Sequence, residues 1–209
     1  MLDTLPEKVY TLLAFSMFIG AFGTYCGRNL ESIGSLIGLG ISFLVGSIAL
    51  YICADMLGTT LGIAALFAWV FVSGLFMGPV INSFGRELGW RVVAMFYCLT
   101  AFIMVVCGAV GMFSGINFGP LGIVLFVALS GLIVASIVGM FIGMSRKMDI
   151  VFSGLGCIVF SAYFVFDFWR LGHTENTWGN AIRLTEHIYL DFINLLIRLL
   201  ELYAALKHK

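Results

Sequence analysis

The sequence predicts an all-α integral membrane protein, a bundle of seven transmembrane helices forming one domain over 1–209. Two observations predict it. Of 209 residues, 61% are hydrophobic and 11% charged, whereas a soluble domain carries roughly a quarter charged residues. A chain of this length cannot hide so much apolar surface in a soluble core, so the lipid bilayer is its solvent and first partner. The second observation is where the charges fall. They collect in short groups that divide the chain into apolar runs of membrane-crossing length. The formal net charge is zero with no basic tail, which gives nucleic acid nothing to bind.

The first span covers 9–27 and stops at Arg28 and Glu31. It lacks a basic n-region and a clear small-residue cleavage site, so it is expected to remain as a membrane helix. The second covers 33–54, with Asp55 expected to end it. The third covers 58–83 and is followed by Arg86, Glu87 and Arg91; the fourth covers 90–113. The fifth, 120–144, leads into the charged turn Arg146, Lys147 and Asp149. The sixth covers 150–171, and the polar connection GHTENTWGNAIR leads to the seventh, 185–206.

Gly34 with Gly38, Gly74 with Gly78, and Gly139 with Gly143 make small-xxx-small pairs, which let helix backbones approach closely in lipid. Pro79 removes one helical hydrogen bond within the third span. Gly78 and Pro79 are therefore a candidate hinge, against the commoner reading of a purely structural kink. Cys26, Cys53, Cys98, Cys107 and Cys157 stand singly in apolar runs. They read as small buried hydrophobes and supply no zinc site. With seven spans, Lys8, Arg170 and Arg183 share one side, while Arg28, Arg86, Arg91, Arg146, Lys147, Lys207 and Lys209 share the other. That bias puts the C-terminus in the cytoplasm and the N-terminus outside; a shallow seventh segment would reverse the C-terminus.

The stretch HIYLDFINLLIRLLE, 187–201, carries His187, Asp191, Asn194, Arg198 and Glu201 at steps of four, three, four and three. Helical geometry puts all five on one stripe. A polar stripe in an apolar chain implies something facing it, and the best partner is Asp167 in the sixth span. In an antiparallel hairpin of the sixth and seventh spans, both carboxyls lie at similar depth, roughly 6–9 Å below one membrane face.

An aspartate in mid-membrane costs roughly 2.5–3.5 kcal/mol. Two at matched depth lower that cost by sharing a proton and titrating as a unit. Ionised, Asp167 and Asp191 are hard oxygen ligands suited to Ca²⁺; protonated, they are a neutral latch between helices. Either aspartate also reads as a snorkelling interfacial residue, with Arg170 three positions from Asp167 as its local partner. His187, one turn before Asp191, either tunes that carboxyl or marks the membrane surface. Arg198 and Glu201 are expected to pair with each other, with Arg198 lining an aqueous path as the alternative.

At these residues the chain resembles a known family. The segment IYLDFINLLIRLLELYAAL is similar to the C-terminal signature of the Bax inhibitor-1 family, the transmembrane BAX-inhibitor-motif proteins found from bacteria to animals. VFSAYFVFD, ending at Asp167, is similar to the family's sixth helix, and FVSGLFMGPV to its Gly-Pro element. The resemblance implies a seven-helix bundle with the C-terminal helix near the centre. It also implies a pH-sensitive Ca²⁺ leak governed by a hydrogen-bonded aspartate pair, which maps onto Asp167 and Asp191. The basic cluster that follows the second helix in bacterial members is missing here, where the chain reads YICADMLGTTLG.

The leading expectation is thus a pH-regulated Ca²⁺ leak channel handling Ca²⁺ and H⁺ without a cofactor. The alternative is a non-transporting regulator that binds membrane partners such as a membrane protease or apoptosis regulators. Enzyme activity is not expected. Intramembrane aspartyl proteases carry YD and GxGD motifs, whereas Asp167 follows Phe166 and Asp191 follows Leu190. Ser73-Gly74 also lacks a rhomboid-like GxSG context. Compact size and short loops suggest a bacterial inner membrane, with a eukaryotic internal membrane as the alternative.

Overall fold

The computed structural model describes residues 3–143 and 145–207. Met144, the expected end of the fifth span, and Lys209, a cation in the orientation count, lie outside the described residues. Seven helices form in the order α1 (Leu5–Gly27), α2 (Ile33–Cys53), α3 (Gly58–Leu88), α4 (Trp90–Phe113), α5 (Leu121–Ile142), α6 (Arg146–Leu171) and α7 (Trp178–Lys207). Among the described residues there is no strand.

Several helices outrun the apolar spans, because local hydrogen-bonding groups rather than hydropathy set where they begin and end. Thr4 caps α1: its hydroxyl accepts from Glu7 N, and the Glu7 carboxylate accepts from Thr4 N at 3.0 Å, closing a capping box. The Ser145 hydroxyl accepts from Met148 N, so α6 starts four residues before the expected 150. The Thr177 hydroxyl accepts from Asn180 N at 3.1 Å, and α7 takes up the second half of the polar connection. At the other end, α3 runs on to Leu88 and stops at Gly89, whose φ of 96° suits glycine.

Five helices, α1, α2, α3, α4 and α6, are long and apolar enough to cross a membrane. In α5 the described apolar stretch is shorter, Leu121–Ser136, and α7 is long but carries the polar stripe. Large apolar side chains stand outward on these helices, Ile33 at 74% exposure and Ile123 at 75%. In water such a surface would aggregate; in lipid it is solvated. The chain is an all-α, multi-pass integral membrane protein.

The described chain falls into two compact units, and α7 contributes to both. The first holds α1, α2, α3 and α7 as far as Tyr189, with α3 packed on α1 and α2. Its tightest seam is glycine against glycine. A Cβ on Gly78 would lie 2.6 Å from the Gly27 carbonyl carbon, and one on Gly23 would lie 2.6 Å from Phe71 O. Gly74 packs against Gly20 O in the same way. Of the three small-xxx-small pairs, Gly74 and Gly78 thus make a helix seam. A Cβ on Gly38 meets nothing within 4 Å, nor does one on Gly143. Gly78 is pressed against α1, and α3 stays helical through Pro79.

The second unit holds α4, α5, α6 and α7 from Leu190, with α6 packed on α4 and α5. Here too a small-residue seam brings backbones together. Gly111 on α4 abuts Val165 O, and a Cβ there would lie 3.0 Å from Trp169 N. Along α7, Ala181, Ile182, Leu184, Ile188, Phe192, Leu195 and Leu200 are almost wholly buried.

Candidate functional site

Asp167 sits in the last turns of α6 among buried Phe164, Phe168 and Leu171, and is itself 1% exposed. Asp191, on α7 beside buried Phe192 and Leu195, is 7% exposed. The structure brings the two carboxyls together as neighbours on α6 and α7, close enough for each to act on the other's charge. Two ionised carboxylates are acceptors only, so a hydrogen bond between them requires a proton on one.

Counted from the helix ends, their positions along the two helices differ. Asp167 is four residues from Leu171, and Asp191 is thirteen from Trp178 (171 − 167 and 191 − 178). They meet nonetheless, because α7 opens with two turns that precede its main apolar run.

Arg170 supplies the nearby cation. Its Nη1 lies 3.2 Å from Asp167 Oδ1, and its guanidinium rests over the Phe166 ring, 5.6 Å from the centroid. The sequence reading treated Arg170 as the partner in a snorkelling alternative; the structure gives Asp167 this partner and Asp191 together. Tyr163, one turn before Asp167 on α6, lies in the electrostatic field of both carboxyls. It was missed because an aromatic in an apolar helix reads as packing.

Further along α7, Arg198 Nη1 donates to Glu201 Oε2 at 2.9 Å, the expected pair. The structure adds two hydroxyls from other helices. Ser153 on α6 donates to Glu201 Oε2 at 3.3 Å, and Arg198 Nη2 donates to Ser136 on α5 at 3.3 Å. The Arg198 stem lies against Gly156, where a Cβ would come within 2.8 Å of its Cδ. Asn194 is half-buried between the aspartate and this network.

The remaining polar residues belong to the first unit. The His187 ring lies beside the Tyr51 ring, 6.1 Å between centroids. Asp55, expected only to end α2, follows its last residue Cys53 and forms an ion pair with Arg183 of α7. Arg183 also donates to Tyr51 O at 2.9 Å. Glu186 escaped the sequence reading altogether. It is 2% exposed and accepts a hydrogen bond from the Ser47 hydroxyl on α2. An acidic residue inside an apolar span is the signal that would have found it. All five cysteines are free thiols, and none is buried as expected: Cys26 and Cys98 are exposed and Cys53, Cys107 and Cys157 half-buried, since on these helices an apolar side chain can face lipid as well as a neighbouring helix.

Among the described residues, no group of three or more His, Cys, Asp or Glu side chains gathers to hold a metal. Asp167 and Asp191 alone supply far fewer than the 6–8 oxygens Ca²⁺ takes. The arrangement suits a proton, or a cation in passage that keeps much of its water.

Comparison with known proteins agrees with this architecture. A family model described as "Inhibitor of apoptosis-promoting Bax1" matches residues 3–208. Bax inhibitor 1 of Schizosaccharomyces pombe is 31% identical over 147 residues, 68% of this chain and 52% of the yeast protein, so the match spans about half of that relative. An uncharacterized membrane protein of Vibrio cholerae is 24% identical over 97% of this chain and 89% of its own length. An uncharacterized protein of Campylobacter jejuni is 25% identical over 95% of this chain and 87% of its own length. The chain belongs to the Bax inhibitor-1 family.

Proposed function

We propose that the protein is a pH-regulated Ca²⁺ leak channel in which Asp167 and Asp191 share a proton and gate the path. One observation carries this reading: two buried carboxyls from different helices meet side chain to side chain. With one proton between them they tie α6 to α7. Loss of that proton leaves two negative charges in contact, which repel. Arg170 then offsets part of the charge, and a hydrated divalent cation offsets the rest. The Arg198–Glu201–Ser153 network continues the polar stripe beyond Asn194 and gives a hydrated ion further contacts. Gly78 and Pro79 remain the candidate hinge of α3. No bond is made or broken in substrate, so the protein is not an enzyme.

Ca²⁺ uptake into liposomes holding the full chain tests this, read from mildly acidic to mildly alkaline pH. Wild type is expected to show a pH-dependent leak. Asp167→Asn, Asp191→Asn and the double variant are expected to lose the wild-type pH response: each single variant removes the second carboxyl with which the proton is shared, and the double variant leaves two amides that do not titrate. Folded protein with no flux above empty liposomes would overturn the channel reading.

The second reading is a regulator that binds membrane partners without transporting ions, a membrane protease or apoptosis regulators being the expected kinds. The family description, with its reference to apoptosis, favours it. It predicts that Asp191→Asn leaves partner binding intact. The bacterial relatives support placement in a bacterial inner membrane; the yeast relative keeps a eukaryotic internal membrane as the alternative.

A further inference from the structure

We propose that Glu186 and Ser47 form a second proton-binding site, built in the first unit from residues other than the aspartate pair. Glu186 Oε1 accepts from the Ser47 hydroxyl, and Oε2 is buried with no hydrogen-bond partner among the described residues. An ionised carboxylate presents about four lone-pair sites, and here one donor serves them. Burying such a charge without a counter-charge is strongly unfavourable. A proton on Oε2 removes the charge and leaves Oε1 as the carbonyl that accepts from Ser47.

Among the described residues, the cations on the surrounding elements are engaged elsewhere. Arg183, one turn earlier on α7, pairs with Asp55 and donates to Tyr51 O and to Asn180 Oδ1. Lys8 on α1 donates to Asn176 Oδ1 at 2.8 Å and stands over the Trp178 ring. His187 lies beside Tyr51 of α2, and the Tyr189 hydroxyl is 2.9 Å from Ser73 Oγ on α3. From Gly58 to Gly85, α3 carries no ionisable side chain. Its Trp69 packs against Gly46, beside Ser47, but spends its indole N–H on Phe43 O at 3.0 Å. The ligand that fits a lone buried carboxyl with one hydroxyl donor is a proton.

Infrared spectroscopy of the full chain in lipid vesicles, titrated with pH, reads this site without reading ion flux. Wild type is expected to show a protonated-carboxyl C=O band that Glu186→Gln loses and the Asp167→Asn/Asp191→Asn double variant keeps. Ser47→Ala is expected to shift that band to higher frequency, because its carbonyl loses a donor. The Gln variant keeps an acceptor for Ser47, and if it fails to fold, the Ser47→Ala shift decides alone. Identical carboxyl bands in wild type and Glu186→Gln at every pH, or no shift in Ser47→Ala, would overturn the proposal.

Discussion

Each unit of the molecule buries one carboxyl of α7, and the two are met by different chemistry. Asp191, in the second unit, faces the Asp167 carboxyl, with the Arg170 guanidinium 3.2 Å from Asp167. Glu186, in the first, faces a single hydroxyl on α2. A carboxyl pair with a neighbouring cation has two stable arrangements, one proton shared or an anion offset by positive charge. A carboxyl beside one serine has one good arrangement, the neutral acid. On the proposed readings the pair exchanges its proton for an offset anion, whereas the lone acid has only the proton to neutralise it. The scaffolds beneath them are alike: glycines bring α1 and α3 into backbone contact in one unit, and α4 and α6 in the other.

That likeness is broken most severely at the seams. Gly74→Leu in the first unit and Gly111→Leu in the second each place side-chain atoms against backbone, where no rotamer change relieves the clash. Both are expected to destabilise at or beyond the upper end of the roughly 1–3 kcal/mol typical of overpacking. Gly38→Leu, with open space around it, is expected to stay within about 0.5 kcal/mol of wild type. Denaturant unfolding in detergent measures all three. An equal loss at Gly38 would show that glycine content, rather than the seam, holds the unit together.

A smaller effect separates the two acid sites. Arg170→Leu leaves the Asp167–Asp191 pair without its cation. The expected loss is about 1–2 kcal/mol, below the roughly 3–5 of a fully buried pair, because the guanidinium is 29% exposed. The loss should largely vanish in an Asp167→Asn background, as a double-mutant cycle detects. It should be unchanged in a Glu186→Gln background. Coupling to Glu186 instead would erase the distinction between the sites.

How far the sequence carried this picture depended on the range of each interaction. Helix number was legible because most of the charges collect in short groups between the apolar runs. Helix limits were not, because caps such as Thr177 and Ser145 are set by side-chain hydrogen bonds that hydropathy does not register. Asp191 and the Arg198–Glu201 pair stood out by helical spacing within one segment. Glu186 did not, since it falls off that stripe and its partner Ser47 is 139 residues away. The glycine pairs show the same limit. Gly34 with Gly38 and Gly74 with Gly78 have identical spacing, yet the second pair meets a helix while Gly38 meets open space. Lipid and a neighbouring helix are both apolar, so a stripe of small residues does not say which one it faces.

The smallest expected effect compares the ion pairs that flank the two sites. Arg183 and Asp55 pair at the edge of the first unit with side-chain exposures of 19% and 58%, whereas Asp167 in the Arg170 pair is 1% exposed. Water around Asp55 already solvates its charge, so Asp55→Asn is expected to cost about 0.2–1 kcal/mol and less as salt is raised. Arg183 itself should stay in place, because it also donates to Tyr51 O and Asn180 Oδ1. Arg183→Ala therefore removes more than Asp55→Asn does, and the difference between them measures those neutral hydrogen bonds. The contribution of Arg170 to the aspartate pair should respond to salt far less, since screening ions reach exposed charges and not buried ones. Unfolding both variants across a salt series makes the contrast direct: equal salt dependence would mean that water reaches Asp167 as freely as it reaches Asp55.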